Sequence, residues 1–259
     1  MTIEALRKLL ESDALLLYAQ PKWTFGQNTC NTYEVFVEKI RTEDGTLIPS
    51  REIVDEIERD PELTLLFSEW FLRKAVISAL TVTEKADANV TLSVNLLPLY
   101  ANQPDFAEQV RKLLDEVGLM PYKLQFELSE AQLLSSVGVQ NLNMLHDEDH
   151  VGLWIGNFGT GNSNINLLRE VHFDGIELDR SYAAAIPGDE QTCRVVVAIQ
   201  HLADTLDLKV CAKGIENIGQ FVFYEDLGFL KGQGYMIKEP MPVEEMIGYI
   251  SEHGKHRRH

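Results

Sequence analysis

The chain has 259 residues, 45% of them hydrophobic, enough to fill one α/β barrel of roughly 250 residues or two smaller domains. With 23 Lys and Arg against 40 Asp and Glu, its formal net charge of −17 argues against nonspecific binding to nucleic acid or an anionic membrane. Three cysteines, Cys30, Cys193 and Cys211, show no CxxC spacing and read as reduced packing thiols, with a cytoplasmic location expected. No signal peptide opens the chain, and no run approaches about 18 apolar residues.

In chain order, residues 1–12 read as a lead-in helix, centred on 2–10. Residues 15–20 (LLLYAQ) predict a strand broken by Pro21, and 33–40 (YEVFVEKI) a second strand. Residues 62–80 carry Leu63, Leu66, Phe67, Trp70 and Phe71 at helical spacing. A strand–helix rhythm follows. Strands are predicted at 90–95, 124–128, 151–157, 175–179, 209–212 and 234–237. Helices are predicted at 105–117, capped by Gly118, then at 131–145, 165–169, 190–206, 218–227 and 243–250. In 190–206 the inward stripe is Val195, Ile199, Leu202 and Leu206. With no linker or shift in composition, residues 13–250 read as one domain, and the basic tail 251–259 is expected to be disordered. Six or more strand–helix units imply parallel strands with helical crossovers. With the two opening strands the count nears eight, which favours a closed barrel over an open sheet.

The stretch 151–164 (VGLWIGNFGTGNSN) organises this reading, because an apolar strand stops at Asn157 and turns into a glycine-bearing loop. Every inferred strand ends in a polar side chain: Glu34, Asn95, Glu127, Asn157, Asp179, Lys213 with Glu216, and Gln233. In a parallel barrel these ends share the face that carries the active site.

The same residues resemble the EAL-domain cyclic di-GMP phosphodiesterases over about residues 13 to 250. Tyr18-Ala19-Gln20-Pro21 resembles the family's YQP, and Glu34-Val35-Phe36 stands at its Glu-Ala-Leu motif. Ser93-Val94-Asn95-Leu96 is similar to SVNLS, Glu127-Leu128-Ser129-Glu130 to ELTE, and Asn157-Phe158-Gly159-Thr160-Gly161 to DDFGTG. Glu177-Leu178-Asp179 stands at KID, Ala212-Lys213-Gly214-Ile215-Glu216 at AEGVE, and Gln233-Gly234-Tyr235 at QGY. The resemblance implies a TIM-like (β/α)8 barrel of EAL type. It also implies a reaction in which two divalent cations activate water against a phosphodiester.

The departures point away from that reaction. Glu34, Asn95 and Glu127 match metal ligands, but Gly156 and Asn157 stand where the family has paired aspartates. Glu177 replaces the family's lysine, and Lys213 replaces its glutamate. An ammonium donates only, so it can neither ligate a metal nor accept a proton. The exchange predicts that Glu177 and Lys213 face each other as a salt bridge, within about 4 Å. Glu38 replaces a phosphate-binding arginine. Gln20, Glu34, Asp179, Glu216 and Gln233 remain as residual ligand-binding positions. Glu130 matches the family's loop anchor, and Asn162 replaces the aromatic of a dimer-forming loop, which weakens any homodimer contact.

The expected function is therefore a catalytically inactive EAL domain that binds a protein partner as a regulatory module. One alternative is a non-hydrolysing cyclic di-GMP receptor. The other is a weak phosphodiesterase with a single weakly held Mg²⁺ or Mn²⁺ at Glu34, Asn95 and Glu127. No cofactor is otherwise required, and no nucleic acid or membrane partner is expected. Joint reversion of Gly156, Asn157, Glu177 and Lys213 is expected to be needed for activity, since a two-metal site works as a unit. Two side readings remain. His146 and His150 in HDEDH offer metal ligands, although a solvated loop is favoured. Trp23 and Phe25 offer a purine-stacking surface, although ordinary packing serves as well.

Overall fold

The computed structural model describes residues 1–42, 44–129, 134–159 and 166–254. The strands are β1 (Leu15–Thr24), β2 (Thr29–Arg41), β3 (Leu47–Pro49), β4 (Thr91–Leu96), β5 (Leu124–Ser129), β6 (Gly152–Phe158), β7 (Gly175–Leu178), β8 (Lys209–Lys213), β9 (Lys231–Gln233) and β10 (Met241–Pro242). Eight of them close a barrel in the order β1-β2-β4-β5-β6-β7-β8-β9, with β3 and β10 paired at its rim. All pairings from β2 through β9 around the barrel are parallel, and β1 runs antiparallel to both its neighbours β2 and β9.

The alternation in the strands explains the layering. In Leu124-Gln125-Phe126-Glu127-Leu128, the apolar residues are fully buried against the helical ring, and Gln125 and Glu127 point into the barrel. Register carries the inward set from strand to strand: Glu34 opposite Ser93, Asn95 opposite Glu127, Glu177 opposite Cys211, and Lys213 opposite Gln233. The outer core is built from Val35, Val94, Phe126, Ile155, Ile176 and Val210, all buried.

The helices are α1 (Ile3–Glu11), α2 (Arg51–Ile57), α3 (Pro61–Lys85), α4 (Pro98–Ala101), α5 (Phe106–Val117), α6 (Ser136–Asp149), α7 (Leu167–Glu170), α8 (Arg180–Ala185), α9 (Glu190–Thr205), α10 (Ile218–Asp226) and α11 (Met246–His253). The long α3 starts where Asp60 accepts the backbone N–H groups of Glu62 and Leu63, with Pro61 at its first position. Its Leu63, Phe67, Leu72, Val76 and Val82 are buried. Gly118 ends α5 at φ +81°, as expected of a left-handed cap.

Four expectations need correction. First, β1 does not stop at Pro21 but runs on to Thr24. Pro21 falls between the short ladders that β1 makes with β10 (Tyr18, Ala19) and with β9 (Trp23, Thr24), where a strand can spare an N–H. Second, the last barrel strand is Lys231–Gln233, not 234–237. Gly234 turns the chain away, leaving Tyr235 and Met236 exposed. Third, α9 buries Val196, Ile199 and Ala203 while Val195 and Leu206 are exposed, a rotation of the predicted stripe by one residue. Fourth, α6 reaches Asp149, so most of HDEDH is the last turn of a helix and only His150 lies beyond it. Glu130, the loop 160–165 with Asn162, and the tail 255–259 lie outside the described residues. Among the described residues, no helix is long and apolar enough to cross a membrane.

Candidate functional site at the barrel mouth

The C-terminal ends of the parallel strands frame an open cavity of about 380 Å³. Gln20, Glu34, Glu38, Asn157, Asp179, Lys213, Glu216 and Gln233 all line it, joined by Arg180, Tyr235 and Pro240. Polar residues from six strands and their loops thus converge. Glu127 lies buried just below, and Asn95, exposed on β4 beside the cavity, reaches it through a hydrogen bond. Asn95 donates to Glu34 Oε1 at 2.7 Å, and Gln233 donates to Glu34 Oε2 at 3.0 Å. Gln20 turns aside to donate to the Lys238 carbonyl at 3.0 Å. Asn157, exposed at the rim with φ +54°, sits where the β6–β7 ladder is interrupted.

Beneath the cavity lies a buried ion cluster. Lys213 Nζ is 2.8 Å from Glu177 Oε2, so the expected contact across the mouth is present. The same ammonium lies 2.8 Å from Glu127 Oε2 and 3.1 Å from Glu34 Oε2. One side-chain cation therefore sits among three carboxylates. A second cation, which the sequence reading missed, lies one layer deeper. Lys22 is wholly buried and donates to Glu127 Oε1, to Glu177 Oε1 and to Ser93 Oγ, the last at 3.3 Å. Ser93 in turn donates to Glu127 and accepts from Gln125 Nε2 at 2.9 Å. The signal was in the sequence: Lys22 stands two residues from Gln20, on the same face of a strand, but ending that strand at Pro21 hid it.

Electrostatics follow from this packing. Burial works against both ammonium groups, but Glu127 and Glu177 overturn it and hold Lys22 and Lys213 above the ordinary lysine value. Burial also opposes the Glu127 carboxylate, yet Lys213 and Lys22 carry it well below its usual range. Glu177 moves the other way. Desolvation, then the adjacent Glu127 charge, push it up to about 7 despite the two lysines. Three carboxylates share two ammonium groups, and Glu177 is the one whose charge the packing disfavours. The neighbouring Cys211 thiol is pushed up to about 12 by burial, as fits a packing residue.

These residues do not fit a pair of divalent ions. Both Glu127 oxygens are engaged by ammonium groups, and a dication bound by Glu34 and Glu127 would be forced against Lys213. Gly156 contributes no donor. Space is not the obstacle, since a Cβ built there meets nothing nearer than Leu128 O at 3.6 Å. Trp23 and Phe25 lie at the far end of β1, away from the mouth. Phe25 packs edge-on against Phe221 at 5.0 Å, so they do not form a purine platform there.

Comparison with known proteins accords with this architecture. Residues 3–240 match the EAL domain. The chain belongs to the EAL domain family. The cyclic di-GMP phosphodiesterase NbdA of Pseudomonas aeruginosa is 28% identical over 249 residues, covering 95% of this chain and 31% of NbdA. The bifunctional diguanylate cyclase/cyclic di-GMP phosphodiesterase MucR of the same organism is 26% identical over 251 residues, covering 95% of this chain and 36% of MucR. The EAL chain thus spans about a third of the length of these relatives. Among solved structures, the PaMucR phosphodiesterase in complex with c-di-GMP superposes with a TM-score of 0.84 at 27% identity, covering 94% of this chain and 98% of that one. The FimX EAL domain from Pseudomonas aeruginosa, at a TM-score of 0.78 and 18% identity, covers 92% of this chain and 95% of that one and shares the fold.

Proposed function

We propose that this EAL domain does not hydrolyse a cyclic dinucleotide and acts as a regulatory module that binds a protein partner in cyclic di-GMP signalling. The observation that carries the reading is the Lys213 ammonium held within 3.1 Å of Glu34, Glu127 and Glu177. An internal cation stands where the reaction needs ions, and Lys22 neutralises the layer below. The rim supports the same reading. Glu34, Glu38, Asp179 and Glu216 face the cavity against Arg180 and Lys213, which repels a dianionic ligand and suits a basic segment of a partner.

A non-hydrolysing cyclic di-GMP receptor is the second reading, favoured by the open cavity with Arg180 on its wall. A one-ion phosphodiesterase at Glu34, Asn95 and Glu127 would require Lys213 to leave all three carboxylates. Calorimetry with cyclic di-GMP, with and without Mg²⁺, separates the first two. No binding heat, together with specific capture of a partner from the native cell that is lost on charge reversal at Glu38 and Glu216, supports the module. Saturable micromolar binding supports the receptor. Turnover of about 1 s⁻¹ or more in Mg²⁺ or Mn²⁺ overturns the proposal.

A further inference from the structure

On the face of the barrel opposite the mouth, the end of α6 meets the segment leading into β7. Three side chains converge there. His146 Nδ1 lies 2.9 Å from Asp147 Oδ1, and His172 Nδ1 lies 3.0 Å from both Asp147 oxygens. One ligand atom from each of the three falls within 4.8 Å of the others. We propose that His146, Asp147 and His172 form a transition-metal site of Zn²⁺ type, with a solvent molecule completing a tetrahedral set.

Two neutral imidazoles and a carboxylate are a donor set that suits Zn²⁺ and not Mg²⁺. A tetrahedral Zn²⁺ with bonds of about 2.0–2.1 Å spaces its ligand atoms about 3.3–3.4 Å apart, so each imidazole nitrogen needs to part from Asp147 by only a few tenths of an ångström, with the two nitrogens already within 4.8 Å of each other. The surroundings are built to hold them. His146 Nε2 lies 3.3 Å from Asp174 Oδ1, the arrangement in which a carboxylate orients a ligating imidazole and leaves Nδ1 to the metal. Asp174 is itself fixed, because its Oδ2 accepts from Leu153 N at 2.8 Å and its backbone bridges β6 and β8. His172 is placed by its own N–H, which donates to Asn143 Oδ1 at 3.0 Å, while Asn143 donates to the Glu170 carbonyl at 2.9 Å.

Charge points the same way. The last turn of α6 holds Asp147, Glu148 and Asp149 at the negative end of the helix dipole. Arg111 answers Glu148 at 2.8 Å and Asp149 at 2.7 Å, which leaves Asp147 to the two imidazoles. His150, at the C-cap, is not part of the group. The site would staple the start of β6 to the start of β7.

The test is calorimetric titration of the metal-stripped full chain with ZnCl₂. One equivalent is expected to bind at micromolar affinity or tighter. His146→Gln and His172→Gln should each weaken it at least tenfold. Asp174→Asn, which keeps an oxygen for Leu153 N, should weaken it about tenfold through orientation alone. A variant with His256 and His259 both changed to Ala controls for the tail and should bind as the parent does. Cobalt loaded in place of zinc should give a tetrahedral visible spectrum that His172→Gln abolishes; His172 is exposed, so its loss leaves the fold intact. Absence of binding, or an affinity unmoved by the His146 and His172 substitutions, overturns the proposal.

Discussion

Lys22 and Lys213 exemplify how a buried charge is tolerated only with partners on every side. Removing one partner strands the rest. Lys22→Met should therefore destabilise the protein by about 3–5 kcal/mol in chemical denaturation, because Glu127 and Glu177 lose a buried counter-charge. Adding Glu177→Gln to that variant should recover part of the loss, and non-recovery would show that shape, not charge, is at stake. The raised Glu177 has a pH signature. Its folded value of about 7 exceeds the ordinary 4.5, so between these the folded state binds more protons than the unfolded one. Its contribution is therefore fully present at low pH and lost as pH rises to about 7. Unfolding free energies at pH 5, 6, 7 and 8 should fall across that range in the parent and flatten in Glu177→Gln. The structure also revises the reversion experiment. A lysine restored at 177 would face Lys22, so the fourfold variant at 156, 157, 177 and 213 should remain inactive. Metal-dependent hydrolysis of cyclic di-GMP is expected only when Lys22→Leu is added, and activity of the fourfold variant alone would show that Lys22 can be accommodated.

The elements differ in how far the sequence announces them. Strands β4 and β5 were legible because apolar and polar residues alternate, as a pleated strand between a polar interior and an apolar helical ring requires, and β6 because an apolar run stops at Asn157. The start of β1 was legible and its end was not, since a local rule about proline competes with a ladder gap that exists only in the closed barrel. The three residues of β9 are too short to carry any period, and α9's stripe was misjudged by one position because Val195, Val196 and Val197 are alike. Two glycines test the backbone argument. Gly118 adopts φ +81° in open space, so Gly118→Ala should cost about 1–2 kcal/mol of left-handed strain and no more. At Gly234 a Cβ would lie 2.1 Å from Ile215 O and 2.2 Å from Ile215 N, so Gly234→Ala should be the more damaging by thermal denaturation, by displacing the β8–α10 connection at the mouth. Equal losses would contradict that ranking.

At the scale of the whole molecule, a net charge of −17 repels itself across the surface while Lys22, Glu127 and Glu177 are sealed from solvent. Raising NaCl from about 20 to 300 mM should therefore raise the melting temperature of the parent by screening the surface, and should leave the penalty of Lys22→Met nearly unchanged. A penalty that fades with salt would place the Lys22 contacts in a wetter setting than the structure does. By itself, the sequence determined the EAL barrel, the convergence of its polar strand ends and the exchange of charge between 177 and 213. The convergence follows from residue order and short-range periodicity, and the family and the exchanged charges from the resemblance of motifs in order along the chain. Only the tertiary structure decided that Lys213 reaches three carboxylates at once, that Lys22 lies beneath them, and that His146 pairs with His172 and not with His150. Each of those contacts joins residues far apart in the chain or separated by a helix end, and a charge acts on whatever closure of the barrel brings within a few ångströms of it.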